Sequence, residues 1–281
     1  MESSRLDNSA DPRATAPSRK IIYDFGANNG DDIPYYLKKA DLVIAVEANP
    51  SLCRQMEERF SAAIREGRLR VENCVLVTQG DDPQVSFYLH KRHHVLGQFP
   101  PPDENVMEDY DKVLLPSQPV MEILRRHGHP YYIKIDIEHY DEAILKELFR
   151  NGIRPPFISA EAASIQVFAL LAGMGEYSAF KVVDGATVGK RYKSHSIAVD
   201  GGRELYSFPA HAAGPFGDDI LGEWMNADDL FRVLAAKGLG WKDIHATTTV
   251  QLDPGSRVEK RRQVRRHLRG WIGAKLRSGG K

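Results

Sequence analysis

An aspartate inside an apolar run, a glycine-rich turn after it and a second acid closing the next apolar run are residue types that can hold a nucleoside. Ile21 to Phe25 leads into Asp24-Phe-Gly26-Ala-Asn28-Asn-Gly30, an Asp-x-Gly-x-x-x-Gly pattern. Its glycines let backbone pass close to a ligand with no Cβ in the way. Leu42 to Val46 ends on Glu47, seventeen residues beyond Gly30. There one carboxylate can accept hydrogen bonds from both hydroxyls of a ribose. A dinucleotide fingerprint starting at Gly26 would need glycine at 28 and 31, and the chain has Asn28 and Asp31, so a pyrophosphate cradle is excluded. A sulfonium cofactor, S-adenosylmethionine, has no pyrophosphate, and Asp24 with the loop carbonyls suits its amino-acid end and positive centre.

The second group is Asp136-Ile-Glu138-His139, at the end of the run that starts at Tyr131. On a strand Asp136 and Glu138 point to one face. Two neighbouring carboxylates raise one another's pKa or bind a cation, and histidine titrates near neutrality. For an acceptor hydroxyl that must lose its proton, this gives His139 as base, Asp136 as the residue orienting cofactor or acceptor, and Glu138 beside them. The plainer alternative makes Glu138 a helix cap and His139 an exposed turn residue. A divalent metal held by Asp136, Glu138 or Glu161 with a histidine would have oxygen and nitrogen ligands that suit magnesium or manganese, but no compact His/Asp/Glu ligand motif supports it and none is expected. His90, His93 and His94 with Lys91 and Arg92 either line an acceptor pocket or end a solvated strand.

Elements must position these residues. Apolar runs at Ile21 to Phe25, Leu42 to Val46 and Leu69 to Val77 alternate with a short helix and a longer one over Pro50 to Arg65, whose Leu52, Met56, Phe60 and Ile64 recur every four residues. Strand, helix, strand, helix, strand predicts a parallel sheet with right-handed crossovers. The pattern continues with strand alternation between Gln84 and Gln98 and a helix from about Ser117 to His127. A strand follows over Tyr131 to Ile137, a helix over Asp141 to Arg150, and a strand over Phe157 to Ala160 ending at Glu161. Beyond that it predicts helices near Ile165–Ala172 and Ala227–Lys237, a strand near Phe180–Val183 and a Gly/Pro-rich loop over 209–222.

Four separated segments resemble the FkbM family of S-adenosylmethionine-dependent methyltransferases. They are Asp24 to Gly30, Val46-Glu-Ala-Asn-Pro50, Ile133-Lys-Ile-Asp-Ile-Glu138 and Ile158-Ser-Ala-Glu161; a fifth, Gly214-Pro-Phe-Gly-Asp-Asp219 with Gly222-Glu-Trp224, is similar to a loop of some members. The resemblance implies an α/β, Rossmann-like class I methyltransferase fold: a mostly parallel seven-stranded sheet with helices on both faces and an antiparallel final hairpin. It implies methyl transfer to a hydroxyl of a carbohydrate or natural product. Carried over by position, Asp24, Gly26, Asn28 and Gly30 contact the methionine portion, Glu47 the ribose, and Asn73 or Cys74 the adenine, with Asp136 beside the cofactor. One departure stands out: the family's Asp-x-Glu-Gly continues here as Asp136-Ile-Glu138-His139.

Composition bounds the rest. With 281 residues, 42% hydrophobic and 27% charged, the chain has globular composition and material for a core. Cys53 and Cys74 are its two cysteines, too few for a disulfide scaffold or a four-thiolate zinc site, which suits a cytoplasmic setting. The net charge of zero divides unevenly: residues 256–281 hold ten basic groups against Glu259 alone, a net +9, which leaves −9 on residues 1–255. The expected organisation is a disordered leader over 1–19, a methyltransferase domain over 20–255 and a basic amphipathic tail over 256–281. In the tail Val264, Leu268, Trp271, Ile272 and Leu276 share a helical face, so residues 257–277 could lie on an anionic membrane surface. The expected partner is a small-molecule or glycan acceptor, with nucleic acid not expected. Two readings stay open beside this one: an RNA methyltransferase using the tail, and a catalytically inactive cofactor-binding scaffold.

Overall fold

The computed structural model describes residues 19–78, 82–93 and 96–252. The expected leader, apart from Arg19, and the basic tail fall outside these residues. The chain begins with β1 (Ile21–Phe25), α1 (Ile33–Tyr36), β2 (Leu42–Glu47), α2 (Pro50–Arg59), α3 (Ser61–Arg65), β3 (Leu69–Asn73) and β4 (Val75–Val77). It continues through β5 (Gln84–His90), β6 (Tyr110–Pro119), α4 (Val120–His127), β7 (Tyr132–Ile135), α5 (Asp141–Arg150), β8 (Phe157–Glu161), α6 (Ile165–Ala169) and β9 (Ala179–Asp184). It closes with α7 (Val188–Arg191), the hairpin β10 (His195–Val199) and β11 (Gly202–Tyr206), α8 (Ala227–Lys237) and β12 (Lys242–Thr247).

Seven strands form the central sheet in the order β3-β2-β1-β7-β8-β12-β9. The pairs from β3 to β8 are parallel, and β12 runs antiparallel to both β8 and β9. This is the seven-stranded sheet with an antiparallel final pair that the resemblance implies. The strands are apolar on both sides because both sides are covered. Tyr23, Phe25, Ile133 and Ile135 pack with α4, α5 and α8, while Ile22, Val43 and Tyr132 pack with α1, α2 and the segment around Phe208 to Trp224.

The expected single strand from Leu69 to Val77 is two strands. At Cys74, whose N–H donates to Glu47 O, the chain leaves the main sheet, and β4 instead joins a three-stranded sheet in the order β4-β6-β5. The helix expected from Ser117 starts at Val120, because Ser117 to Pro119 pair with Val75 to Val77. The strand β6, the short helix α7, the β10–β11 hairpin and β12 went unread. The helix near Ile165 is α6 continued by a π turn over Leu170–Met174.

The loop over 209–222 locks one face of the sheet. Phe216 stacks on Tyr132 with centroids 4.1 Å apart and rings 11° from parallel. Buried Asp219 accepts from Tyr35 Oη at 2.9 Å, Lys39 Nζ at 2.8 Å and the Ala198 N–H at 2.8 Å, which joins loop, α1 region and β10 through one carboxylate. Asp219→Asn keeps the shape and weakens these charge-assisted bonds, an expected cost of about 2 kcal/mol. Thermal unfolding followed by circular dichroism should show a melting temperature lower by roughly 4–8 °C; no change would deny the carboxylate this role.

Candidate active site

Strand register sets out the polar groups in rows. Asp24 on β1 lies opposite Lys134 on β7, Lys134 opposite Ser159 on β8, and Ser159 opposite His245 on β12. Two residues further toward the C-terminal end of the parallel strands, side chains return to the same face. Those positions are Asp136, Glu161 and, on the reversed β12, Asp243, which pairs with Glu161. This edge of an open α/β sheet is where ligands bind.

A cavity of about 690 Å³ opens at this edge. Its wall includes Gly26 to Asn29, Glu47, Cys74, Asp136, Glu138, Glu161 and Asp243. Leu76, Phe87, Leu89 and Phe99, carried by or next to the β4-β6-β5 sheet, make one side apolar, and His211 and Trp241 stand on another. Tyr140 ties the small sheet to the end of β7, its ring edge-on to Phe99 at 5.0 Å and its hydroxyl 3.2 Å from Thr78 Oγ1.

Gly26 admits no side chain: at φ +82° an added Cβ would lie 1.8 Å from Asp136 O. The first turn is therefore pressed against the end of β7. Asn28 also adopts a left-handed conformation (φ 49°), which asparagine tolerates better than most residues. Its N–H donates to Glu47 Oε2 at 2.9 Å, while Asn49 N–H donates to Oε1 at 2.8 Å. The Glu47 carboxylate is thus held in one orientation with lone pairs to spare.

Lys134 is the electrostatic centre. Its Nζ lies 3.4 Å from Asp24 Oδ1 and 3.3 Å from Asp136 Oδ2, and donates to Gly26 O at 3.3 Å. Burial alone would lower its pKa, but Asp24, Asp136, Asp32 and Asp243 hold it well above the ordinary lysine value. Among the described residues it is the one lysine or arginine on the cavity wall, and the acids outnumber it. Burial pushes Glu47 up to about 7 against the opposing backbone hydrogen bonds. Burial and the neighbouring Asp136 push Glu138 up to about 8. Asp243 is raised well above the usual carboxylate range by burial and by Asp136. A site strained in this way favours a cationic ligand.

The predicted residues separate into three groups. Gly26, Asn28, Glu47, Asp136 and Glu138 line the cavity together. Asp24 and Gly30 stand behind its wall: Asp24 is fully buried against Lys134, and Gly30 (φ +78°) packs under Phe60, Ile33 and Met56. Asn73 and His139 lie off the wall. The Asn73 amide donates to Glu47 O and Ala48 O, both at 3.0 Å, and Cys74 is the residue of that pair that faces the cavity. His139 is exposed. β7 ends at Ile135, and the chain turns through Glu138 and His139 with φ of 39° and 65°, so the two carboxylates meet through a turn rather than along a strand. The Ile137 N–H donates to Asp141 Oδ1 at 3.1 Å and braces that turn. His90 ends β5 half-buried and His93 is exposed in the turn after it, their rings 5.1 Å apart, while His94 lies outside the described residues. Sequence reasoning missed Asp32, Asp243, His211 and Trp241, and gave Lys134 no role.

A family model, the methyltransferase FkbM domain, matches residues 24–170. Among solved structures the chain is similar to methyltransferase FkbM from Methylobacillus flagellatus KT, at 16% identity and TM-score 0.40 over 59% of this chain and 40% of that one. It is also similar to the C-terminal domain of precorrin-6Y C5,15-methyltransferase from Rhodobacter capsulatus, at 12% identity and TM-score 0.35 over 68% of this chain and 77% of that one. The chain thus spans two fifths of the length of the FkbM structure. No curated protein matches it significantly. No helix among the described residues is long and apolar enough to cross a membrane. The matched segment runs from the glycine loop through Glu47, the end of β7 and Glu161 to just past α6 and holds most of the cavity wall, and on it the chain belongs to the FkbM methyltransferase family.

Proposed function

We propose that this methyltransferase uses S-adenosylmethionine and methylates a hydroxyl oxygen of a carbohydrate or natural-product acceptor. The observation that carries the cofactor reading is Glu47, a carboxylate at the end of β2, oriented by the Asn28 and Asn49 N–H groups and facing the cavity. The residues present fit the cofactor. Asn28 Oδ1 is buried and accepts no hydrogen bond among the described residues, so it is available to an ammonium. Gly26 leaves its carbonyl close to the end of β7, and the acids around Lys134 suit a positive sulfur. Val75, Leu76 and Phe87 offer an apolar wall to a base.

When bound, S-adenosylmethionine supplies a methyl group on a cationic sulfur, open to in-line attack by an oxygen nucleophile. The chain's part is to orient, desolvate and take up a proton. Glu47 accepts from the ribose hydroxyls. Lys134 holds Asp136 at the end of β7, and the carboxylates there receive the proton that the acceptor hydroxyl gives up. His139, exposed and off the wall, does not share that space, so His139→Ala should leave cofactor affinity unchanged.

Ionisation of Glu47 gives a pH dependence. Its folded-state pKa of about 7 lies above the ordinary carboxylate value, so its buried charge weakens the free fold as pH rises from about 4.5 to about 7. Ribose binding requires the ionised form, which Lys134 favours and Asp24 opposes. Cofactor affinity should therefore fall about tenfold between pH 8 and pH 6. Calorimetric titration with S-adenosylmethionine at both values checks this, with NAD as the control that should not bind. Binding of NAD in preference would replace the methyltransfer reading.

A further inference from the structure

We propose that Asp136, Glu138 and Glu161, with Asp243 beside them, form a binding site for a divalent cation of the magnesium or manganese class. Each of the first three offers a carboxylate oxygen, and these oxygens all lie within 4.8 Å of one another. Two oxygens bound to one hard cation at about 2.0–2.6 Å stand no further apart than about 5 Å. All three belong to the cavity wall and are part-buried, and all three are hard oxygen donors of the kind magnesium and manganese prefer. The positions 136, 138 and 161 come from the end of β7, the turn after it and the end of β8, a spacing that no compact ligand motif reveals.

Asp243 supplies the independent observation. It is 8% exposed, faces the same cavity and stands opposite Glu161 across the β8–β12 ladder. Among the described residues no hydrogen bond or ion pair reaches its carboxylate, and Lys134 already sits against Asp24 and Asp136. Lys134 attracts it but is shared with Asp24 and Asp136, and a carboxylate this enclosed is costly with so little opposite charge beside it. A cation held by the neighbouring three would offset that cost, either directly or through a coordinated water. The charge balance agrees: S-adenosylmethionine, net +1, leaves the acids of the wall in excess.

The site's role, to bind the acceptor hydroxyl next to the methyl, rests on the methyltransfer reading; its existence does not. The test titrates Mn²⁺ into the full chain, freed of metal with a chelator, and follows bound manganese by electron paramagnetic resonance. Saturable one-to-one binding is expected, weakened at least about tenfold in Glu161→Gln or in Asp243→Asn. Absence of binding by the wild-type chain at millimolar Mn²⁺, or affinity undiminished in both variants, overturns the proposal. A parallel titration of S-adenosylmethionine in the presence of the chelator separates the two readings. Manganese bound without cofactor affinity contradicts the methyltransferase reading alone; cofactor bound without manganese contradicts the metal site alone.

Discussion

Lys134→Met is expected to destabilise the fold by about 3–5 kcal/mol, because it removes one partner of a buried charge group and leaves the others uncompensated. The ammonium lies within 3.5 Å of Asp24 Oδ1, Asp136 Oδ2 and Gly26 O. Methionine approximates the stem's volume but offers none of the three a donor. Asp24 fares worst, since its carboxylate is fully buried and accepts no other hydrogen bond among the described residues. The melting temperature should fall by roughly 6–20 °C. Adding Asp24→Asn to the variant should restore part of that loss, since the orphaned charge goes with it. A single variant as stable as the wild type would mean that the charges around Lys134 are solvated and the cavity is wetter than its geometry implies.

The second large effect concerns ligand binding. Glu47→Ala removes the carboxylate that would accept both ribose hydroxyls, and hydrogen bonds to charged groups contribute about 1.5–3 kcal/mol each. Two of them correspond to a loss of roughly a hundredfold or more in affinity for S-adenosylmethionine. The substitution also frees the Asn28 and Asn49 N–H groups, which now donate to Glu47 at 2.9 and 2.8 Å, so the loop loses its brace as well. Calorimetry measures the affinity, and thermal unfolding checks that the fold survives. An unchanged dissociation constant would place the ribose elsewhere.

Much of one side of the cavity was legible because its residues follow one another along the chain. Gly26 and Asn28 belong to a single strand-turn-helix with Asp24 and Gly30 behind the wall, and Glu47 closes the adjacent parallel strand, so the spacing and the family resemblance together bring them to one edge. The opposite side was not, because it is assembled by register. Asp243 joins Glu161 only through an antiparallel strand whose sequence, Lys242-Asp-Ile-His-Ala-Thr247, places charged and polar residues in a buried strand and hides its strand character. Lys134 was visible between two isoleucines, but its function depends on lying opposite Asp24 on β1, which one strand's sequence does not disclose. His139 misled for a local reason. A histidine after two carboxylates suggests a base, yet it adopts φ 65°, a left-handed turn in the place where the family pattern has glycine, and that turn carries the side chain out to solvent. Of the two residues offered for the adenine position, Cys74 faces the cavity and Asn73 does not, because the expected single strand breaks at Cys74.

Ribose binding at Glu47 is the central claim. A crystal structure of the full chain with S-adenosylhomocysteine should place both ribose hydroxyls within about 2.5–3.2 Å of the Glu47 carboxylate oxygens, with the sulfur facing Asp136. A nucleoside bound away from Glu47, or no binding by a folded protein at millimolar ligand, would contradict it.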